Sequence, residues 1–512
     1  MTDQLNAPRM QTPDAAAARA IQMLNTAQWA AQRFCRYDAA AVRAIAEAVA
    51  EAGFVKARHY AEKAVEETGY GRVEHKIIKN EACSRGNFEK YGNLDFSTPR
   101  INRDNKVVEL PRPAGVVFAL TPVTNPIATV YFKTLLSIIT RNAIVISPHP
   151  GAKAVCTQAA RALEAAAVEA GAPPGLVQVV EEPTIPLIDT FMTSELVDLI
   201  VATGGPAVVK AAYRSGNPAI GVGSGNAPVL VDDTCDLKKA AHYIVGSKAF
   251  DNSILCTNES TILAYESIAD KLLGQLKNAK AHICSESETN AIRRLLFGSG
   301  SFNLDMIGKD AGAIAAAAGF QVRNAEILVT PVDLIQPEEA LVREKLCPVL
   351  AFGRVQDLNN GIAAARSVMR KSGKGHSAVI HSSNEQTILA YADAVPALRV
   401  VVNVGCSLGA AGFETHLGPS MTIGTGFVGG SSVGDNLKPE NFVNMARIAY
   451  NSTEAEVFGN FEGLARKTIR PTQSVLVNFP DAPSAVPGAE QDAVRAELRR
   501  LIQEELKSIL AA

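Results

Sequence analysis

From Pro113 onward, short β-rich runs alternate with segments long enough to form crossover helices. Strand, helix and strand repeated in this way predict a parallel sheet that helices cover on both faces. Such sheets bind ligands at the carboxyl ends of their strands. The predicted strands are GVVFAL (115–120), AIVIS (143–147), LVQVV (176–180), DLIVAT (198–203) and APVLVDD (227–233), then ILVTPV (327–332), PVLAFGRV (348–355), SAVIHS (377–382) and VVNV (401–404).

The sequence patterns at the two ends of the chain differ from that of this α/β region. Residues 15–68 are alanine-rich and helical in period, with Asp38 as a helix cap and Gly53 and Gly69 as helix ends. Near the other end, SVLVNF (474–479) is a short strand that could pair outside its own domain, and residues 480–487 form a linker. The segment after Ala489 has one apolar stripe at helical spacing, which must pack on this subunit or on another.

Composition excludes several classes of protein. A chain of 512 residues is too long for one core, and 47% hydrophobic residues support large cores. A net charge of −2 and a pI of 6.5 give no reason to expect a nucleic-acid or membrane partner. The N-terminus has no secretory signal pattern and no apolar run is long enough to span a bilayer, so we expect a cytoplasmic protein.

The eight cysteines are scattered, with no C-x-x-C pair and no zinc-ligand spacing, and predict reduced thiols and no metal site. One of them, Cys256, lies in FDNSILCTNES (250–260), just before a run where a strand could begin. A thiol on such a loop can be partly exposed against backbone N–H groups, as a nucleophilic cysteine requires. The same local sequence is also typical of a small buried cysteine.

Two glycine stretches suggest a nucleotide, but neither is specific. Gly204 and Gly205 follow a predicted strand and precede a helix, so backbone N–H groups there could face a phosphate. The stretch GVGSGN (221–226) is followed by a strand-like run, and neither stretch matches the G-x-G-x-x-G fingerprint. A longer glycine-rich segment, 405–434, is too irregular for a repeat and is predicted to line a site.

Six stretches in order carry a family resemblance. They are TPVTNP (121–126), AIGVGSGNAPV (219–229), FDNSILCTNES (250–260), EKLCP (344–348), GKGHSAVIHS (373–382) and PSMTIGTG (419–426). Together they resemble the aldehyde dehydrogenase superfamily over roughly residues 20–450. The most similar branch is the CoA-acylating one, and within it the acylating sulfoacetaldehyde dehydrogenases.

The resemblance implies an α/β fold with a Rossmann-like cofactor domain, an α/β catalytic domain and a small oligomerisation sheet. The corresponding domains are 15–235 with the N-terminal helices, 236–435, and 436–512. It further implies a homodimer or homotetramer that uses NADP or NAD, with coenzyme A as co-substrate. Cys256 would be the nucleophile and Asn125 the oxyanion donor. The cofactor-binding residues implied are Thr121, Pro122, Ser147, Pro148, His149, Gly204, Gly205 and Glu344, with Glu344 on the nicotinamide ribose.

Two positions bear on the reaction. Hydrolytic relatives have a glutamate in the glycine loop that activates water, and alignment puts Val222 at that position, which favours acyl-CoA as product. Many NAD-preferring relatives have a glutamate where this chain has Pro150, and Ser147, His149 or Lys153 could contact a 2′-phosphate, so NADP is expected to be accepted.

Several alternatives stay open at this point. His376 could help deprotonate CoA or be an ordinary turn histidine, and Cys347 and Cys406 lie in matched segments and might approach the site. Acetaldehyde competes with sulfoacetaldehyde as substrate. A hydrolytic aldehyde dehydrogenase would share the fold and the nucleophile, and a non-catalytic assembly subunit would share the fold alone.

Overall fold

The computed structural model describes residues 13–453 and 457–464. The chain divides after Glu462, and every helix and strand given below precedes that point. The predicted strand at 474–479, the linker and the C-terminal helix lie outside the described residues.

Sixteen α-helices occur in the described part of the chain. In order they are α1 (Pro13–Phe34), α2 (Ala39–Val55), α3 (Ala57–Thr68), α4 (Val73–Glu81), α5 (Asn87–Tyr91), α6 (Pro126–Ile139), α7 (Lys153–Glu169), α8 (Ile185–Thr193), α9 (Pro206–Arg214), α10 (Leu237–Ala249), α11 (Glu266–Asn278), α12 (Glu286–Phe297), α13 (Ala311–Ala317), α14 (Leu358–Val368), α15 (Glu385–Ala394) and α16 (Cys406–Gly409). None of these helices is both long enough and apolar enough to cross a membrane.

The predicted helix signals near the N-terminus are confirmed at two of three positions. Asp38 caps α2 by accepting a hydrogen bond from the Ala41 N–H at 2.9 Å, and Gly69 ends α3 in the left-handed conformation, with φ 69°. The prediction for Gly53 is wrong, because it lies inside α2. A Cβ there would be 3.0 Å from the Cβ of Ser84 and 3.2 Å from the Tyr131 ring, so this glycine permits close helix packing.

Fifteen strands occur in the same described residues. In order they are β1 (Arg100–Asn102), β2 (Val107–Pro113), β3 (Val116–Thr121), β4 (Ala143–Pro148), β5 (Val177–Val179), β6 (Leu199–Thr203), β7 (Ala219–Val222), β8 (Ala227–Val231), β9 (Glu259–Tyr265), β10 (Ala281–Ile283), β11 (Ile327–Pro331), β12 (Val349–Val355), β13 (Ser377–His381), β14 (Arg399–Val402) and β15 (Val443–Ala449). They form three sheets.

The first sheet is parallel, with the order β5-β4-β3-β6-β7. Every residue of β3 and β4 is buried, as expected for strands that helices cover on both faces. Four predicted strands are confirmed here. The fifth strand, β7, was not predicted as one, because its sequence runs directly into the glycine loop.

The second sheet is also parallel, with the order β10-β11-β12-β9-β8-β13-β14. It contains β8, which the sequence pattern had grouped with the first series, so the chain changes sheets in the glycine loop between β7 and β8. Strand pairing shows this change of sheet. The domain limits 15–235 and 236–435 remain a prediction.

A small antiparallel sheet, β1-β2-β15, joins residues 100–113 to residues 443–449. The resemblance implied such a sheet, but its strands were not found in the sequence because charged residues interrupt their apolar pattern. The architecture, two parallel sheets and a small antiparallel one, is the α/β fold that the resemblance implied.

Candidate active site

Cys256 lies on the loop between α10 and β9, three residues before β9 begins. The turn that precedes it contains three consecutive residues with positive φ, Asp251 at 49°, Asn252 at 51° and Ser253 at 66°. Such a run is rare without glycine and must be held by its surroundings. Cys256 itself is partly exposed, whereas its two neighbours are buried. We call residues 250–258 the nucleophile loop.

The glycine loop, residues 223–226, is pressed against this nucleophile loop. A Cβ placed on Gly225 would lie 1.7 Å from the carbonyl oxygen of Cys256, so only glycine fits there. The Gly225 N–H donates to Oε1 of Glu344 at 3.0 Å. The structure therefore brings Cys256 and Glu344, 88 positions apart in the chain, to the two sides of one glycine.

The electrostatic surroundings keep the Cys256 thiol protonated. Burial, and then the Glu344 carboxylate, raise the pKa of Cys256 to about 12, although backbone N–H groups and Arg399 act in the opposite direction. Burial also raises the pKa of Glu344, to about 7, despite the hydrogen bond from Gly225. A change in the charge of Glu344 would therefore change the fraction of thiolate at Cys256.

Asn125 lies between β3 and α6, immediately before the first residue of α6, and is 8% exposed. Its Oδ1 accepts a hydrogen bond from Nζ of Lys79 at 2.5 Å, and its Nδ2 lies 3.3 Å from Oγ1 of Thr124. Lys79 also donates to the carboxylate of Asp251 in the nucleophile loop. Asn125 is thus connected to the Cys256 loop through a single lysine.

Three charged residues that the sequence did not single out support the nucleophile loop from the N-terminal helices. Lys76 lies 3.2 Å from Oδ2 of Asp251, and the backbone N–H of Arg72 donates to Oδ1 of Asp251 at 2.6 Å. Burial would raise the pKa of Asp251, but Lys79, Lys76 and the hydrogen bonds hold it below its ordinary value. Burial, and then Lys79, lower the pKa of Lys76 to about 8. Nothing in the local sequence links these residues, which are more than 170 positions apart.

The predicted cofactor residues next to β3 and β4 lie at the carboxyl ends of these strands, either in their last residues or directly after them. His149 donates its backbone N–H to the carbonyl of Thr121 at 3.1 Å, which holds the two strand ends together. The Ser147 hydroxyl is buried, and no partner for its oxygen lies within hydrogen-bond distance among the described residues. Pro122 and Pro148 follow and end the two strands. An unsatisfied hydroxyl at this edge fits a polar ligand such as a dinucleotide.

Gly204 and Gly205 connect β6 to α9, and Gly205 occupies the cap position before Pro206. A Cβ on Gly205 would meet no atom within 4 Å, so the backbone is open at this helix N-terminus. The arrangement fits a diphosphate approaching backbone N–H groups. Oγ1 of Thr203 lies 2.9 Å from Oγ1 of Thr422, so the glycine-rich segment 405–434 also reaches this end of β6.

The surroundings of Lys153 differ from the expectation that it is free to contact a 2′-phosphate. Its Nζ forms an ion pair with Glu182 at 2.5 Å, and Glu182 follows β5, the strand next to β4. The carboxylate of Glu67 accepts from the N–H groups of Ala154 and Val155 at 2.9 and 2.7 Å. Two carboxylates therefore lie at the start of α7, neither of which the sequence indicated for this place.

His376 is fully buried and its Nδ1 lies 3.0 Å from the Ser377 hydroxyl. Burial and Arg399 lower the pKa of His376 to about 3, so the ring is neutral at physiological pH. Cys347 and Cys406 are fully buried and behave as protonated core thiols, because burial raises the pKa of each. Val222 is 4% exposed and is the last residue before the glycine loop.

One group of possible metal ligands occurs in the described residues, at His282, Cys284 and Glu288. Glu288 is engaged there in the capping box of α12, which accounts for its position. The prediction that the chain uses no metal is not tested by this cluster.

The two parallel sheets contribute opposite edges to the site. Thr121, Ser147 and Gly204 lie at the carboxyl ends of strands in the first sheet, as the sequence predicted. Cys256 and Glu344 instead precede the amino ends of β9 and β12 in the second sheet, where no ligand was expected from strand direction alone.

A family model described as "Aldehyde dehydrogenase family" matches residues 4–418 of the chain. The chain belongs to the aldehyde dehydrogenase family. It is 36% identical over 437 residues to an aldehyde-alcohol dehydrogenase from Clostridium acetobutylicum, a match that covers 84% of this chain and 50% of that protein. The chain thus spans about half the length of that relative.

Two solved structures of aldehyde dehydrogenases show the same fold over nearly their whole length. An acetylating aldehyde dehydrogenase from Geobacillus thermoglucosidasius superposes with a TM-score of 0.85 at 34% identity, covering 88% of this chain and 100% of that one. A propionaldehyde dehydrogenase from Rhodopseudomonas palustris, with bound CoA and an acylated cysteine, gives a TM-score of 0.77 at 28% identity, covering 86% of this chain and 97% of that one.

Proposed function

We propose that this aldehyde dehydrogenase is CoA-acylating, and that it oxidises a short-chain aldehyde with NADP or NAD and coenzyme A to an acyl-CoA thioester. The observation that carries the proposal is the contact between the glycine loop and Cys256. The residue directly before this loop is the buried Val222, which has no group able to take a proton from water. The solved relatives described as acetylating, or as holding CoA and an acylated cysteine, support the same reading.

In the first step the Cys256 sulfur adds to the aldehyde carbonyl carbon. The thiol proton must first pass to solvent, which reaches the partly exposed side chain, because the resting thiol has a pKa of about 12. As the carbon–sulfur bond forms, the carbonyl oxygen becomes an oxyanion, and the Nδ2 group of Asn125 and the N–H of Cys256 donate to it. A preorganised donor of this kind lowers a barrier by roughly 3 kcal/mol.

In the second step the tetrahedral carbon loses hydride and becomes an enzyme thioester. A nicotinamide cofactor, when bound, supplies the hydride acceptor. The residues that would hold it are Thr121, Pro122, Ser147, Pro148, His149, Gly204 and Gly205, with Glu344 on the ribose beside the nicotinamide.

In the third step the CoA thiolate attacks the thioester carbonyl, the bond to the Cys256 sulfur breaks, and acyl-CoA leaves. Water competes poorly for the thioester, because general-base assistance is worth about 10² to 10⁴ in rate and Val222 cannot give it. A thiolate is the better nucleophile and needs less help. His376 is fully buried and its lowered pKa makes it too weak a base to receive the CoA proton, so we propose it only for orienting the loop.

We propose sulfoacetaldehyde as the favoured substrate on the basis of the whole-chain motif resemblance, with acetaldehyde as its competitor. A homodimer or homotetramer in the cytoplasm completes the proposal, with no nucleic acid or membrane as partner.

The test is a panel of sulfoacetaldehyde, acetaldehyde and propionaldehyde, each with NADP or NAD and with or without CoA. Reduced cofactor is followed by absorbance and the product by mass spectrometry. We expect sustained turnover only with CoA, an acyl-CoA product, and a burst of about one reduced cofactor per active site without CoA. Cys256→Ala should abolish turnover, whereas Cys35→Ala should not. Sustained formation of free acid without CoA would refute the acylating assignment.

A further inference from the structure

A buried ammonium group contacts both the proposed oxyanion donor and the nucleophile loop. Lys79 lies on α4 and is 1% exposed. Its Nζ donates to Oδ1 of Asn125 at 2.5 Å and to the Asp251 carboxylate, which is fully buried. α4 belongs to the N-terminal helices, which contain none of the proposed catalytic or cofactor-binding residues.

The contact with Lys79 fixes which way the Asn125 amide faces. A lysine ammonium has only donors, so the amide oxygen must point at Lys79 and the NH₂ group must point away from it. An NH₂ group has two N–H donors, and Oγ1 of Thr124, at 3.3 Å, takes at most one of them. The second N–H is left for a substrate oxygen. Without Lys79, the amide could rotate and present its oxygen to the oxyanion, which would repel it.

The charge of Lys79 acts in the same direction. A cation on the carbonyl oxygen of an amide polarises the group and strengthens its N–H as a donor. When both are protonated, Lys76 and Lys79 together outweigh the single charge of Asp251, so the cluster carries a net positive charge close to Asn125. In a buried environment this charge is only weakly screened.

We propose that Lys79 is a positioning residue for the oxidation, which turns the N–H of Asn125 toward the reacting carbonyl oxygen and strengthens it as a donor. The inference rests on the proposed function, because it takes Asn125 as the oxyanion donor. The Asp251 carboxylate is also held by Lys76 and by the N–H of Arg72, so the effect that is specific to Lys79 runs through Asn125.

The experiment is a double-mutant cycle on the full-length enzyme, with Lys79→Met, Asn125→Ala and the pair. The measured quantity is the rate constant of the first burst of reduced cofactor, which reports the acylation half of the reaction. Loss of one oxyanion donor costs about 10² to 10³ in rate, so Asn125→Ala should slow the burst by that factor. Lys79→Met should slow it by at least about tenfold. In the Asn125→Ala background, Lys79→Met should have almost no further effect, because a residue that acts through Asn125 has nothing left to act on.

Lys76→Met is the matched control. Lys76 lies on the same helix, is 3% exposed and contacts the same Asp251, but it also donates to the carbonyl of Thr124 rather than to the side chain of Asn125. The factors by which Lys76→Met and Asn125→Ala each slow the burst should therefore multiply in the double variant. Cofactor affinity and thermal unfolding are measured for every variant. If Lys79→Met does not fold, Lys79→Gln enters the same cycle with the same expected result, since its amide is uncharged and, having both a donor and an acceptor, does not fix which way the Asn125 amide faces.

The outcomes separate the two proposals. A normal burst in Asn125→Ala would remove the oxyanion assignment itself, and the role of Lys79 with it. A slow burst in Asn125→Ala with a normal burst in Lys79→Met, or with losses that multiply, would overturn the role of Lys79 and leave the proposed function standing. Losses that do not multiply for Lys79 but do multiply for Lys76 support the inference.

Discussion

Gly225 and Cys256 are in direct backbone contact, and a Cβ on Gly225 would come within 1.7 Å of the Cys256 carbonyl oxygen. The glycine loop and the nucleophile loop can therefore pack this closely only when residue 225 has no side chain. Because Gly225 also donates to Glu344, a displacement here would move both residues of the site at once.

Gly225→Ala should accordingly lose most of its activity, by at least about 10²-fold, since a misplacement of about 1 Å at the reacting groups has that cost. The check is steady-state kcat together with thermal unfolding. Gly246→Ala is the control, because Gly246 lies within α10 and a Cβ there would meet no atom within 4 Å. The control should be as active as the parent and stabler by up to about 1 kcal/mol, owing to the helix propensity of alanine. Full activity in Gly225→Ala would show that the two loops are not in this contact in the working enzyme.

Replacing Glu344 by Gln should separate thiol reactivity from turnover. The negative charge of Glu344 contributes to the high pKa of Cys256, so removing it should lower that pKa and increase the thiolate fraction at pH 7 to 8. Alkylation of Cys256 by iodoacetamide should then be faster in Glu344→Gln, by about an order of magnitude for each unit of lowered pKa. Turnover should fall, because the proposed ribose ligand is weakened.

The measurement is the alkylation rate constant as a function of pH, with Glu338→Gln, an exposed carboxylate nearby in the chain, as control. Equal rates in Glu344→Gln and the parent across pH 7 to 8 would mean that Glu344 does not influence the thiol.

A carboxylate at position 222 should open the hydrolytic route. Val222→Glu places a possible general base at the start of the glycine loop, where burial would raise its pKa toward the working pH. Without CoA, the variant should convert the initial burst into continuous release of free acid, at least about tenfold faster than Val222→Gln. The glutamine variant has nearly the same size without a base, so it controls for the disturbance of a buried site. Identical behaviour of the two variants would contradict Val222 as the deacylation position.

The ion pair between Lys153 and Glu182 should limit the preference for NADP. Both side chains are largely exposed, and such a pair is worth up to about 1 kcal/mol. Glu182→Gln frees the lysine and removes a negative charge, so the ratio of kcat/KM for NADP to that for NAD should rise about threefold to fivefold at low salt. The gain should shrink as ionic strength increases.

Glu181→Gln is the matched control for the cofactor experiment, since Glu181 pairs with Arg161 instead. An equal shift in both variants would point to net charge alone, and a parent enzyme with strong preference for NAD would contradict the expectation that NADP is accepted.

The sequence predicted those parts of the fold that are encoded locally. Strands such as β3 and β4 are continuous apolar runs, and a buried parallel strand needs nothing else. Asp38 and Gly69 were read correctly because a helix cap is a property of a few adjacent residues. The strands of the small sheet were missed, since their apolar pattern is broken and since β2 and β15 pair across more than 300 positions.

The residues of the candidate site fall into the same two groups, those recognisable from the local sequence and those that matter through distant contacts. Cys256, Asn125 and Glu344 could be found because each lies in a short recognisable stretch. Lys79 could not, because its importance comes from contacts with Asn125, 46 positions away, and Asp251, 172 positions away. Lys153 was found but its partner was not, since Glu182 approaches it only when β4 and β5 are paired.

The left-handed turn at residues 251–253 depends on contacts with residues far away in the chain, and this affects the order in which the enzyme folds. Its contacts with Arg72, Lys76 and Lys79 close chain loops of 172 to 180 residues. We expect these contacts to form late, because closing long loops carries an entropic cost. During folding, we expect the loop that carries Cys256 to lack its supporting lysines until these long chain loops have closed. Chemical competence should therefore be the last property that the refolding chain regains, well after its helices and sheets have formed.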